Sequence, residues 1–451
     1  MSHEALRNEI TEGNLFRALL SVSLPILVSN LLQGVVEIVD LYFVGRLGPD
    51  AIAGVALATS LIFFLVTVLI GIATATAAFM SRAYGAKEYG EIGRVMFHAL
   101  ALGGGFSLVL MVLGAFASRP VLFLLGARGA VADAGAAFLS TFLLGIGSLV
   151  ILWLLIVSFQ STGDTRTPMY VMVAVIFGNI LANPVLIFGL YGVPAFGVAG
   201  SALATVLART GGLVILVGII FRRRGILALP EHPTFDLSLV RRLSGVAIPS
   251  ALQNGMRSFS SLFLMAIVTA YGAAAVSALG IAYRVEYILV MPGYAFATGT
   301  AVLVGQNLGA RHPERAEQGV RISLLLYGGI MAACSMACLL FAPAILGFFD
   351  PSGASIPAGS NYFATVAPFY VLMAASLILA FAMNGAGATR IPMVAAFLAL
   401  VLVQLPLAVW LPGWTGTGVS GVWYAVAIAI AVQFLALLFL YRRGHWKEVR
   451  L

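Results

Sequence analysis

Charge is scarce in this chain: Asp, Glu, Lys and Arg together make up 9% of 451 residues, against roughly a quarter in an ordinary soluble domain. That scarcity excludes a soluble enzyme and a disordered chain, both of which need solvated surface. Cysteine is nearly absent, which excludes a secreted disulfide scaffold; Cys334 and Cys338, four apart in an apolar run, read as small buried residues of one helix. Only two lysines occur, Lys87 and Lys447, and neither lies in a Gly-x-x-x-x-Gly-Lys phosphate loop. The chain therefore carries no ATPase of its own. It also lacks His-Glu-x-x-His, Gly-x-Ser-x-Gly and any Asp-rich diphosphate motif, so neither enzyme chemistry nor a bound cofactor is expected. His98, the one histidine within a span, reads as structural.

What is present is 61% apolar residues, a mean hydropathy of +1.04 and a net charge of +8. A membrane-spanning helix needs about 20 apolar residues, so the length accommodates roughly ten to fourteen spans and no sizeable soluble domain. Charge-free stretches at 51–81, 95–118, 134–163, 167–208, 287–310, 322–349 and 391–441 delimit them, the longer ones divided by the Gly/Pro-rich turns at 189–194 and 411–418. Twelve helices are expected, at 15–45, 51–80, 92–118, 131–160, 168–190, 196–221, 241–270, 274–305, 316–349, 357–385, 391–411 and 418–441. With the amino terminus inside, nineteen of the 25 basic residues fall in cytoplasmic segments, Arg222, Arg223, Arg224, Arg241 and Arg242 among them. The positive balance is thus a topology signal rather than a nucleic-acid one, and both termini are expected on the cytoplasmic side. The start of the chain has no signal-peptide cleavage site and reads as a short surface helix.

The chain repeats itself at an offset of 224 residues. Pro25, Asn30, Gly48 and Ala51 meet Pro249, Asn254, Gly272 and Ala275; Gly163, Thr165, Arg166, Pro168 and Met169 meet Gly387, Thr389, Arg390, Pro392 and Met393. Six spans per repeat give both halves the same orientation, related by an axis along the membrane normal. The expected fold is an all-α polytopic membrane protein of twelve transmembrane helices in two pseudo-symmetric six-helix lobes. Its divisions are a first lobe at 1–221, a cytoplasmic linker at 222–240 and a second lobe at 241–451. Two such lobes around a midplane cavity make a secondary transporter, expected here as a monomer.

Charges persist within a span at a cost of about 2.5–3.5 kcal/mol on insertion scales, so they mark cavities or pathways. Three acids qualify: Glu37, Asp40 and Glu286. Asn179 and Asn183 share a face of the fifth helix ahead of Pro184, and Thr205 adds a hydroxyl from the sixth. One carboxylate, two amides and a hydroxyl suit a hard monovalent cation or a proton-exchanging acid. Interhelical hydrogen bonding is the competing account of the amides and hydroxyl. At the 224 offset Asp40, Glu37 and Asn179 meet Leu264, Ser261 and Val403, and a three-residue shift sets Val426 against Thr205. A set confined to one half argues for an ion site at Asp40. In the second half, Glu286 is expected to pair with Arg257 rather than with Arg284, which is two residues away on the same helix and faces elsewhere.

Leu24-Pro-Ile-Leu-Val-Ser-Asn30 with Val39-Asp40-Leu-Tyr-Phe-Val-Gly-Arg-Leu-Gly48, Gly163-Asp-Thr-Arg-Thr-Pro168, Tyr283-Arg-Val-Glu286 and Val304-Gly-Gln-Asn-Leu-Gly-Ala310 resemble the multidrug and toxic compound extrusion (MATE) family, in its bacterial, DNA-damage-inducible F-like branch. The resemblance implies a multi-pass protein of the bacterial inner membrane that exports cationic or amphipathic organic compounds in exchange for Na+ or H+. It implies ion-coupling roles for Asp40, Asn179, Asn183 and Thr205, with Glu37, Arg257, Arg284 and Glu286 as further polar positions. Asn183 stands where many members carry Asp, and Arg257 lies near where some relatives place an acid. A lipid-precursor flippase of the same superfamily is the alternative.

Overall fold

Backbone amides find no water in hydrocarbon, so a chain this apolar crosses a bilayer as helices that satisfy their own hydrogen bonds. A computed structural model describes residues 9–223, 227, 234–449 and 451, and among these there is no strand. The long helices are α1 (Leu15–Gly45), α2 (Pro49–Gly85), α3 (Tyr89–Leu124), α4 in two arms (Gly129–Leu144 and Ile146–Ser161), α5 (Arg166–Phe188) and α6 (Val198–Arg223). Then follow α7 (Leu237–Thr269), α8 (Ala273–Gly309), α9 (Pro313–Phe349), α10 (Ile356–Val366 and Tyr370–Gly385, joined by the 3-10 turn Ala367–Phe369), α11 (Arg390–Ala396, a π-helical stretch Phe397–Gln404, and Leu405–Thr415) and α12 (Val419–Arg442). Ten are long and apolar enough to cross a membrane, and the arms of α4, bent by 52°, form an eleventh span. α7 has the length, 33 residues, but Gln253, Asn254 and Arg257 dilute its apolar character. As the counterpart of α1 in the repeat it completes twelve.

The repeat extends to backbone detail. α2 and α8 start and stop 224 residues apart, and the turns that precede them need Gly48 and Gly272 at φ 110° and 92°. After each of these helices a basic side chain, Lys87 or Arg311, takes a left-handed conformation at φ 63°. The next amides, of Glu88 and His312, bond back to Ala83 and Asn307, closing the same six-residue cap twice.

The chain divides into two compact units, one holding Leu24–Ala247 and the other Asn8–Ser23 with Ile248–Leu451. This differs from boundaries at 221 and 241, because the first turns of α1 go with the second unit and the first turns of α7 with the first. Both crossings fall two residues before a proline, Pro25 and Pro249. Composition locates where the chain leaves the membrane, whereas packing locates where it changes partners. Within the second unit, Arg315 donates to the carbonyl of Gly13 at 2.7 Å, and Ser23 sits where a side chain on Gly299 would be. Of the expected amino-terminal surface helix, residues 9–11 are helical, and Asn14 caps α1 by accepting from the amides of Phe16 and Arg17. Residues 1–8, and 224–226 and 228–233 of the expected linker, lie outside the described residues.

Small residues let helices touch. In the first unit Gly54 of α2 and Gly135 of α4 meet face to face, a Cβ on either coming within 2.8 Å of the other's backbone. Large apolar side chains point outward instead, as Phe116 and Leu124 of α3 do at 81% and 86% exposure. His98, fully buried on α3, is structural: its Nδ1 faces the carbonyl of Arg94 at 2.7 Å, and its Nε2 accepts the amide of Asp236 at 2.8 Å. Arg94 adds an ion pair to Asp236 at 3.1 Å, and Asp236 in turn caps the start of α7 through the amides of Ser238 and Leu239.

Candidate functional site

α1, α5 and α6 bring the expected first-half residues together. Asn183 and Asn179 stack one turn apart on α5, both buried, and their amides form a relay. Asn183 Nδ2 donates to Asp40 Oδ1 at 2.5 Å and to Asn179 Oδ1 at 3.1 Å; Asn179 Nδ2 donates to Thr205 Oγ1 at 3.1 Å; and Thr205 donates to the carbonyl of Ser201 at 3.2 Å. The relay diverges from the Asn183 amide, which donates to the carboxylate on α1 and, through Asn179 and Thr205, toward a main-chain acceptor on α6. It also sets the orientation of the Asn183 amide, because the opposite one would turn an oxygen toward two oxygens. The consequence is that Asn183 Oδ1 is buried and accepts no hydrogen bond from any described residue. A buried acceptor without a donor costs about 1–3 kcal/mol.

Glu37, one turn before Asp40, is exposed and shares its face of α1. Arg209, a basic residue within α6 that the sequence reading did not single out, belongs with this set, because its charge acts on both Asp40 and Glu37. The signal was available: Arg209 follows Thr205 by four residues and so lies on the same face of α6. The set is therefore two acids and one fixed cation, rather than one isolated carboxylate with neutral oxygens.

The second unit departs from expectation more clearly. Glu286 of α8 does not pair with Arg257. Its Oε1 accepts from the hydroxyls of Tyr362 at 2.6 Å and Tyr370 at 3.2 Å, both buried on α10, while Arg257 Nη1 donates to the hydroxyl of Tyr294 at 3.3 Å. Arg284 joins neither group; it is exposed on α8. Pairing by elimination among charged residues overlooked phenols, which satisfy a carboxylate without bringing a second charge into the membrane. The spacing of eight between Tyr362 and Tyr370, two turns of one helix, was the readable sign.

Comparison with known proteins agrees with this architecture. The MatE family model matches residues 25–185 and 249–410, two stretches that begin at the 224-residue offset of the repeat. The chain is 26% identical to the probable multidrug resistance protein YoeA of Bacillus subtilis over 97% of its own length and 96% of that protein's. It is 25% identical to an FAD transporter of Shewanella oneidensis, over 97% and 96% of the two chains. Among solved structures, a MOP superfamily transporter from Pyrococcus furiosus superposes with a TM-score of 0.89 at 21% identity, covering 98% of each chain. That likeness speaks for the fold.

Proposed function

This chain belongs to the MatE family of multi-pass membrane transporters, and from that premise we propose that it exports cationic or amphipathic organic compounds from a bacterial cell in exchange for a monovalent cation taken up at Asp40. The observation that carries the reading is the Asp40–Asn183 contact, with the Asn183 carbonyl oxygen left buried and unpartnered beside the carboxylate. Export of organic compounds is favoured over lipid-precursor flipping by the relative named for multidrug resistance, whereas the relative named for FAD transport marks how far cargo varies among similar chains.

Of the two coupling ions, Arg209 favours the proton. A Na+ ion beside Asp40 lies within reach of the Arg209 charge and meets Coulomb repulsion in a medium of low dielectric. A proton binds to the carboxylate itself and needs no coordination sphere. Protonation turns Asp40 from acceptor to donor, and the Asn183 amide, rotated by half a turn, can then accept with the oxygen that is otherwise unpartnered. That rotation breaks its donation to Asn179 and with it the relay to α6. Two arrangements of α1, α5 and α6, separated by one proton, supply the differential binding that a coupled transporter requires. Low dielectric makes neutralisation of Asp40 favourable in one of them.

The test is efflux of ethidium from proteoliposomes under an imposed proton gradient or an imposed Na+ gradient. Wild-type protein is expected to respond to the proton gradient, and Asp40→Asn to lose the response while folding and expressing normally. Efflux at the wild-type rate by Asp40→Asn would falsify the assignment. A response to Na+ alone would overturn the proton as coupling ion while leaving Asp40 in place.

A further inference from the structure

Of the histidines among the described residues, His98 alone is buried. It stands near the start of α3, and both of its ring nitrogens are engaged. Because Nε2 accepts the amide of Asp236 at 2.8 Å, the imidazole is neutral and carries its one proton on Nδ1, which donates to the carbonyl of Arg94 at 2.7 Å. Asp236 is the last residue before α7, so a single lone pair fastens the segment leading into α7 to α3. Aromatic rings enclose the bond, Phe97 edge to face with the imidazole at 5.2 Å and Phe235 tilted against it at 5.5 Å.

Asp236 brings a carboxylate as well as its amide, but both oxygens are taken. Oδ2 pairs with Arg94 at 3.1 Å, and Oδ1 accepts from the amides of Ser238 and Leu239 at the start of α7. Hydrogen bonds from Ser238, then Leu239, and the charge of Arg94 hold the Asp236 carboxyl below its ordinary value, so it stays ionised from pH 5 to 8. Arg94 also pairs with Glu91 of its own helix at 2.5 Å. Among the described helices packed against α3, α2 carries Arg82 and Tyr84 at the same end and Asp50 at the other, the first arm of α4 carries Asp133 at the far end, and the second arm has no charge. Histidine is the side chain whose charge ordinarily changes between pH 5 and 8, which leaves the imidazole as the switchable member of the group.

We propose that His98 and Asp236 form a pH-sensitive latch on the start of α7, closed by the neutral imidazole and opened by its protonation. A proton on Nε2 removes the accepting lone pair and sets N–H against N–H at hydrogen-bond distance. The amide of Asp236 must then turn away, and the start of α7 loses its tie to α3. The proton binds the open arrangement better than the closed one, which is the differential binding a switch requires. The repeat supports a role beyond folding: position 322, the counterpart of His98 at the 224 offset, is Ile, so the second half is built without such a tie. The latch lies at the end that carries Arg222, Arg241 and Arg242, expected to face the cytoplasm. Under the proton exchange proposed above, each turnover delivers a proton to that side, and the latch responds to what the transporter itself accumulates there. The latch as such rests on the His98–Asp236 geometry and needs no gradient.

Hydrogen–deuterium exchange of the purified full chain in detergent tests it, read by mass spectrometry over residues 234–240 and expressed against the intrinsic exchange rate at each pH. In wild type, protection of this segment is expected to fall about tenfold from pH 8 to pH 5, the worth of a hydrogen bond whose buried donor is left unmet. His98→Gln offers an amide oxygen in place of Nε2 and does not titrate, so protection should stay high at both pH values; His98→Leu should leave it low at both. Asp236→Asn keeps the main-chain amide and should keep the pH response, which an effect carried by the Arg94–Asp236 ion pair would lose. His232→Gln removes the other imidazole close to Asp236 in the chain and should respond as wild type does, as should Asp40→Asn, whether or not Asp40 couples transport. If His98→Leu does not fold, wild type and His98→Gln decide the matter. Wild-type protection independent of pH, or a pH response that persists in His98→Gln, overturns the proposal. Loss of the response in Asp236→Asn or in His232→Gln would place the sensor elsewhere and overturn it equally.

Discussion

At the scale of single residues, a charge within the membrane is settled by the number of donors that reach it, and those donors need not be charged. Glu286 illustrates this with Tyr362 and Tyr370, and the pairing has a thermodynamic signature. In a double-mutant cycle on thermal stability in detergent, Glu286→Gln and Tyr362→Phe should be strongly non-additive, with a coupling of about 1–3 kcal/mol. Glu286→Gln and Arg257→Gln should couple by well under 1 kcal/mol, since no hydrogen bond joins them. A coupling of several kcal/mol for the second pair would restore the direct ion pair. Arg209 supports a residue-scale prediction of the opposite kind. Replacing it by Gln removes the positive charge that a Na+ ion at Asp40 would meet, so efflux driven by a Na+ gradient should rise relative to efflux driven by a proton gradient. Arg209→Lys should leave that ratio nearly unchanged; efflux from proteoliposomes under each imposed gradient checks both.

Elements are held by close approach and by caps. The Gly54–Gly135 contact leaves no room for a methyl group, so Gly54→Ala must spread α2 from α4. The expected cost is about 1–3 kcal/mol, as in other overpacked sites, read as a lower melting temperature; an unchanged melting point would mean that the helices yield freely. In the turn between α9 and α10, Asp350 accepts from the hydroxyl of Ser352 and from the amides of Ser352 and Ser355. Hydrogen bonds from Ser352 first, then Ser355, hold its carboxyl down at about 2. A carboxyl held below its unfolded value of about 3.9 stabilises the fold fully above that pH, and the contribution is lost as pH falls toward the folded value. The stability difference between wild type and Asp350→Asn should therefore be constant from pH 7 to 5 and shrink as pH falls below about 4. A difference independent of pH would mean that the aspartate acts through shape alone.

For the whole molecule, topology is the prediction with the widest reach. Single cysteines at Gly353 and at Gly444, in a background with Cys334 and Cys338 replaced, should be labelled from opposite sides of the membrane, because arginines such as Arg442 and Arg443 oppose translocation of the carboxyl-terminal end. Labelling of both by an impermeant reagent from outside the cell would overturn the twelve-span arrangement. The two proline-marked crossings, after Ser23 and after Ala247, show that the repeat governs packing as well as sequence.

Span number, the repeat and the convergence of Asp40, Asn179, Asn183 and Thr205 were all legible in the residues. Each follows from a local rule: apolar length, positional identity at a fixed offset, or spacing of three and four on a helix face. Those rules hold in lipid because the backbone has no alternative to helix. Which helices trade partners, and which donors satisfy Glu286, were decided by tertiary structure. The physical reason is that hydrogen bonds and charges act across distances set by packing between segments far apart in the chain. Glu286 and Tyr362 are 76 residues apart, and Asp40 and Asn183 are 143. Periodicity within one helix fixes which face a side chain occupies, but only the neighbouring helix determines what that face meets.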